Sequence, residues 1–123
     1  MDQQTWIVTF HNDSVIEASQ HARELKELFL DISRESKVTF LRNTNNTQSG
    51  IEETIIALLP STVLIAAINA IKQFFLRNHP NNASIDLEIK ELKFKAAGIS
   101  QANYMHTMEE LLKYVQTLEN EEK

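Results

Sequence analysis

The 123-residue chain contains no cysteine, which removes disulfides, thiolate chemistry and the usual structural zinc sites together. Its two glycines, Gly50 and Gly98, stand alone, so the glycine-rich loops that cradle phosphate are excluded. Positive charge is in deficit: 12 Lys and Arg against 17 Asp and Glu leave a net charge of −5. Backbone phosphates are bound by clustered Lys and Arg, so nucleic acid is not an expected partner. The opening "MDQQTWIVTF" has an acid where an export signal carries Lys or Arg, and no long apolar run follows it. The expectation is therefore a cytoplasmic chain without a leader.

What is present is enough for one core. At 42% hydrophobic residues the chain supports a single compact domain, 1–123, and is too short to argue for two. "TWIVTFHN" is β-branched and aromatic, with Trp6, Val8 and Phe10 on one side and Ile7 and Thr9 on the other, as in an inner strand. The period then changes. Val15, Ala18, Ala22, Leu25, Phe29 and Ile32 recur at steps of three and four, with Leu28 widening the stripe of an amphipathic helix. Ser14 and Glu17 have the spacing of a capping box at its start. "SKVTFLRN" reads as a second strand, and a helix between two strands predicts that they are parallel neighbours.

The polar run "NTNNTQSG" ending at Gly50 is a loop with no period. Beyond "RNHPNNAS", residues 84–96 alternate: Ile85, Leu87 and Ile89 against Asp86, Glu88 and Lys90, then Leu92 and Phe94 against Lys93 and Lys95. Two strands joined near Lys90-Glu91 fit this, by a tight hairpin or a bulge. A helix competes, because Ile85, Ile89, Leu92 and Ala96 also lie at helical spacing. A last helix carries Met108, Leu111, Leu112, Val115 and Leu118 on one face, with Thr107 and Glu110 as a second capping box. The whole predicts an α/β two-layer sandwich. About four strands in a small mixed sheet would pack with three to four helices in the order β-α-β-α-β-β-α.

The most apolar stretch, Thr54 to Arg77, poses a choice between membrane span, core helix and docking surface. A span needs roughly 20 mostly apolar residues. This stretch carries Pro60, Ser61, Thr62, Asn69 and Lys72. Pro60 kinks one helix or opens a second, and two helical pieces are the expectation. On the second piece Thr62, Ala66, Asn69 and Gln73 form a narrow strip, while apolar residues cover most of the rest. That arc is wider than one sheet needs, so other helices or a second chain must cover it. Ile55, Leu59, Val63, Ile65, Phe74 and Phe75 are the candidate partner-binding residues. The alternative is a membrane-active protein whose helices within 54–77 insert or oligomerise on activation.

Chemistry-bearing residues are scattered. His11, His21, His79 and His106 share no metal-ligand spacing. His21, among Glu17, Arg23 and Glu24, falls on the solvated helix face. Glu52-Glu53 is explained as acid at a helix start, and Ser14 and Ser61 lack an adjacent base. No catalytic residue, metal or cofactor is expected.

Three stretches carry a family resemblance: "LKELFLDISRESKVTFLRN", "IEETIIALLPSTVLIAAINAIKQFFLRNHPNNASIDLEI" and "MEELLKYV". Their pattern resembles the effector-associated constant component family of bacterial conflict, or antiphage defence, systems. The chain departs from the family in having only Ser49-Gly50 before the apolar segment and Lys90-Glu91 in the late hairpin. The resemblance implies a non-enzymatic adaptor or regulatory component that associates with a separate effector, such as a protease or other toxic domain, and possibly with itself.

Overall fold

A computed structural model describes residues 3–12, 15–43, 51–78, 80, 82–89, 92–100 and 102–121. The elements in chain order are β1 (Gln3–Asn12), α1 (Val15–Ile32), β2 (Lys37–Asn43), β3 (Ile51–Pro60), a 3-10 turn (Ser61–Val63), α2 (Leu64–Asn78), β4 (Ala83–Ile89), β5 (Leu92–Ile99) and α3 (Tyr104–Glu121). The strands form one five-stranded sheet in the order β2-β3-β1-β4-β5, and each neighbouring pair is antiparallel. All three helices share one core cluster with the buried strand residues, which places them in a single layer on one face. The two-layer α/β sandwich expected from the sequence is thus the fold. From β1 to β4, connectivity and strand order are those of the ferredoxin-like split βαβ, with β5 and α3 added beyond β4.

The sheet differs from expectation in one strand, and that strand reorganises it. Residues 51–60 form a strand, not a first helical piece. Glu53, Ile55, Ala57 and Leu59 are buried on one face while Thr54, Ile56, Leu58 and Pro60 are half-buried on the other. A strand apolar on both faces has no readable period, so its sequence looks like that of a buried helix. The β-branched run Thr54-Ile55-Ile56 favours the strand, and Pro60 ends it. β3 pairs with both β1 and β2, so β1 and β2 run parallel with β3 between them and are not neighbours. The sheet is accordingly antiparallel throughout rather than mixed.

The remaining elements follow their residues. On α1, Ala18, Ala22, Leu25 and Phe29 are buried, with Leu28 and Ile32 packed at the margin of the core; the side chain of Val15 and the Ser14 cap lie outside the described residues. Ser36 donates its hydroxyl to the Phe29 carbonyl at 3.2 Å, satisfying one of the carbonyls that a helix end leaves open. Asn78 Nδ2 donates to Phe74 O in the last turn of α2, at 3.2 Å. Residues 84–96 are the two strands and not the helix. Ile89 pairs with Leu92, so two residues join β4 to β5. Lys90-Glu91 themselves lie outside the described residues, as does the 43–50 loop beyond Asn43.

α3 begins earlier than expected, at Tyr104. Thr107 is consequently inside the helix and buried, not a cap. Its partner in that expectation, Glu110, lies 3.0 Å from His106 Nε2. The link before α3 is closed by Asn103, which accepts from Ser100 N at 2.7 Å and donates to Gly98 O at 3.0 Å. Gly98 has φ 66°, a conformation that side-chain-bearing residues rarely adopt. Leu112, expected on the buried stripe, is 45% exposed.

Candidate protein-contact face

Every other residue of the central strands points away from the helices, and these side chains make the second face of the sheet. The antiparallel registers place them in rows. One row runs Lys37, Leu58, Thr5, Glu88, Lys93; the next runs Thr39, Ile56, Ile7, Asp86, Lys95; a third begins Leu41, Thr54, Thr9, Ser84. Ile7, Ile56 and Leu58 are half-buried by their neighbours, and Leu41 at the β2 edge is 54% exposed. Thr9 Oγ1 and Thr54 Oγ1 lie 3.1 Å apart across the β1–β3 boundary. The face is therefore divided. Its β2-β3-β1 part is aliphatic and threonine-rich, and its β4-β5 part is charged.

The charged part is internally matched. Asp86 faces Lys95 and Glu88 faces Lys93 in the β4–β5 register, and Lys93 Nζ lies 3.8 Å from Glu88 Oε1. Opposite charges directly across a ladder favour pairing. A shallow cavity of about 140 Å³, lined by Thr5, Ile7, Asp86, Glu88, Lys93 and Lys95 among others, sits where the two parts meet. No Phe, Tyr or Trp is among the described residues of these rows. Such residues are the platforms on which single-stranded nucleic acid stacks.

A larger cleft of about 510 Å³ lies on the helical side, lined by Glu24, Glu27, Leu28, Asp31, Arg77 and Asn78. Its three carboxylates come from one face of α1 and are accompanied by a cation. Among the described residues no group of three or more His, Asp or Glu is arranged to hold a metal ion.

The candidate partner-binding residues divide in the structure. Ile55, Leu59, Phe74 and Phe75 are wholly buried in the core, Val63 is partly buried against it, and only Ile65, at 48% exposure, stands on the surface. Most of the apolar arc of α2 is covered from within: Ala67, Ile68, Ala70 and Ile71 are buried with the two phenylalanines, while Ile65 and Leu76 remain exposed. α1 and α3 both contact this helix, and Phe75 stacks on Tyr104 of α3 with ring centroids 5.8 Å apart. The strip Thr62, Ala66, Asn69 and Gln73 is exposed, as its polarity implies. Sequence reasoning missed the face of β3, because recognising Ile56 and Leu58 as surface residues requires knowing that their segment is a strand.

The histidines and acids also find their places. His21 is not on a solvated face. It is half-buried with its ring 5.5 Å from that of Phe10 and 5.7 Å from that of Phe74, and its Nδ1 is buried without a hydrogen-bond partner. Burial holds its pKa below the ordinary 6.5, although Glu17 and Glu24 pull the other way. His11 is half-buried, its Nε2 3.5 Å from Ser84 Oγ, whereas His106 is exposed. His79 lies outside the described residues. Glu53, expected at a helix start, is instead buried on the helix-facing side of β3; Glu52 contributes a described backbone only. Ser61 opens the 3-10 turn.

Comparisons with known proteins add little. No family model matches the chain, and no curated protein matches it. Among solved structures, a phage SAM lyase in its apo state is similar over 77% of this chain and 88% of its own length, at 7% identity and a TM-score of 0.37. Likeness that low leaves fold and function to be read from this chain's own residues.

Proposed function

We propose that this chain is a non-enzymatic protein-interaction module, an adaptor or regulatory component acting with a separate effector of a bacterial conflict system. The observation that carries this reading is the sheet face left open among the described residues, on which Ile7, Ile56, Leu58 and Leu41 present aliphatic surface beside matched charge pairs. Aliphatic surface rimmed by polar residues marks contact with another macromolecule. Net charge of −5 and the absence of aromatic residues among the described residues of its rows favour a protein over a nucleic acid. The effector is what the family resemblance adds, and the cytoplasmic setting is the expectation drawn from the N-terminal residues.

A membrane-inserting role has less to support it. Among the described residues no helix is long and apolar enough to cross a membrane. Insertion of 54–77 would also require β3 to give up its pairing with both β1 and β2.

The test is co-expression of the tagged chain with the effector encoded beside it, followed by gel filtration. A co-eluting complex of defined stoichiometry is expected. Separate elution at micromolar concentrations of both proteins, with the effector folded and active, would remove the adaptor reading.

A further inference from the structure

We infer that the open face of the sheet is covered by a second copy of this chain, packed face to face about a two-fold axis that runs along the strands between β3 and β1. The inference rests on reading that face as a protein-contact surface, and it names the first occupant. A two-fold contact must be self-complementary, with each residue's partner reciprocated across the axis. With the axis between β3 and β1, the rows on this face pair aliphatic residues at the centre and opposite charges at the margin. Rotation about an axis between β3 and β1 lays β3 over β1 of the second copy and β2 over its β4, row on row.

Under that operation Ile56 meets Ile7 of the second copy and Ile7 meets its Ile56. Because Ile7 and Ile56 are already cross-strand neighbours within one chain, four isoleucine side chains gather around the axis. Leu58 meets Thr5, Thr54 meets Thr9, and Leu41 meets Ser84. The outer columns decide the sign of the electrostatics: Lys37 on β2 comes opposite Glu88 on β4 of the second copy, twice. Thr39 comes opposite Asp86 and can donate its hydroxyl to that carboxylate. The lysines of β5 overhang the contact and face no like charge. An axis at right angles to the strands would instead set Asp86 against Asp86 or Glu88, and one centred on β1 would set Lys37 against Lys93. Charge therefore disfavours those two arrangements, and the axis between β3 and β1 is the one that brings Lys37 opposite Glu88. Two sheets stacked this way lie about 10 Å apart with strand directions within about 30°.

The area is sufficient without being large. β1 and β3 are ten residues long and β2 and β4 seven, which at about 3.4 Å per residue and 4.8 Å per strand gives roughly 550 Å² of face per chain. Roughly 1,100 Å² in total just clears the ~1,000 Å² expected of a specific interface. Such a dimer forms and dissociates with concentration. The helical layer stays outward in it, and an effector that uses the sheet face competes with the second copy.

The experiment is sedimentation velocity of the full chain across micromolar to millimolar concentration. Circular dichroism and urea midpoints verify that each variant is folded. For the wild type the mass is expected to rise from the 14.1 kDa of one chain to twice that. Ile56→Lys and Lys37→Glu are each expected to weaken dimerisation at least tenfold. Lys37→Glu combined with Glu88→Lys, which exchanges the two charges across the axis, is expected to recover most of the loss. A wild type that is monomeric throughout overturns the inference. So does a dimer indifferent to Ile56→Lys, or one that the exchanged pair does not restore. Effector co-elution is scored separately. A monomer that binds effector removes the dimer and keeps the adaptor reading, while a dimer that binds none does the reverse.

Discussion

The two faces of the sheet are built from alternate residues of the same strands, yet they answer to different demands. On the helix-facing side Trp6, Val8, Phe10, Ile55, Leu59, Ile85 and Leu87 are sealed from solvent. On the other, Thr5, Ile7, Thr9, Thr54, Ile56 and Leu58 are half-buried, with no helix among the described residues laid over them. The first set carries the stability of the fold, because shape and volume must match the helices there. The second set tolerates changes of shape but presents chemistry outward. Neighbours in sequence thus separate into a folding role and a contact role by the two-residue period alone.

Substitution of one residue from each face is the strongest way to break that contrast. Trp6→Ala should cost about 3–5 kcal/mol in urea unfolding, as large core truncations do. Ile7→Ala, the next residue on the opposite face, should cost about 1 kcal/mol or less in the monomer, since its site is already partly open. Equal losses at the two positions would mean that the open face is as structural as the covered one.

Gln4 sharpens the picture of the covered face, because it is a fully buried polar side chain. Its Nε2 donates to Pro60 O at 2.7 Å and its Oε1 accepts from Trp6 Nε1 at 2.6 Å. The amide ties the start of β1 to the end of β3 and satisfies the indole at once. Gln4→Leu keeps most of the volume and leaves the indole N–H without an acceptor, a loss expected at about 1–3 kcal/mol. A neutral outcome in the urea midpoint would show that a water or a shifted backbone replaces the amide.

Gly98 tests the edge strand, where neither face argument applies. A Cβ built there meets nothing within 4 Å, so Gly98→Ala is penalised for φ 66° alone. The expected cost is about 1 kcal/mol, and Gly98→Asn should recover part of it because Asn tolerates that region better.

The smallest effect concerns pH. His21 is held neutral in the fold between the Phe10 and Phe74 rings, with its pKa lowered by burial. The unfolded chain therefore binds its proton first as pH falls, so the stability that His21 contributes is complete above pH 6.5 and is lost below it. The melting temperature of the wild type should fall more steeply from pH 7 to pH 5.5 than that of His21→Leu. Parallel slopes would place the pH dependence in other groups.

How much of this was legible in the residues differs from element to element. α1 was readable from Ala18, Ala22, Leu25 and Phe29, since a one-sided stripe has a single period. β1 was readable from its β-branched and aromatic run, and β4 and β5 from alternation, against which a helix competed. β3 was not, because Thr54-Ile55-Ile56-Ala57-Leu58-Leu59 is apolar at nearly every position and both helical and extended periods fit it. The candidate contact residues inherited that error. Ile55 and Leu59 went to the core, and Ile56 and Leu58, their neighbours, became the surface. The break at Pro60 was legible, since it rests on a missing donor and a fixed φ rather than on surroundings.

The residues read alone were enough for the fold class, the buried stripe of α1, the polar strip of α2, the break at Pro60, and the exclusion of cysteine and glycine-loop chemistry. Each is a property of local spacing or of residue type. Only the tertiary structure decided that β3 enters between β1 and β2, that His21 lies against two phenylalanine rings, and which half of each central strand is left uncovered. Those outcomes depend on which segments meet beyond their sequence neighbours, as Thr9 does with Thr54 across 45 residues. Pairing of that kind is selected by the packing of the whole core and not by any window of neighbouring residues.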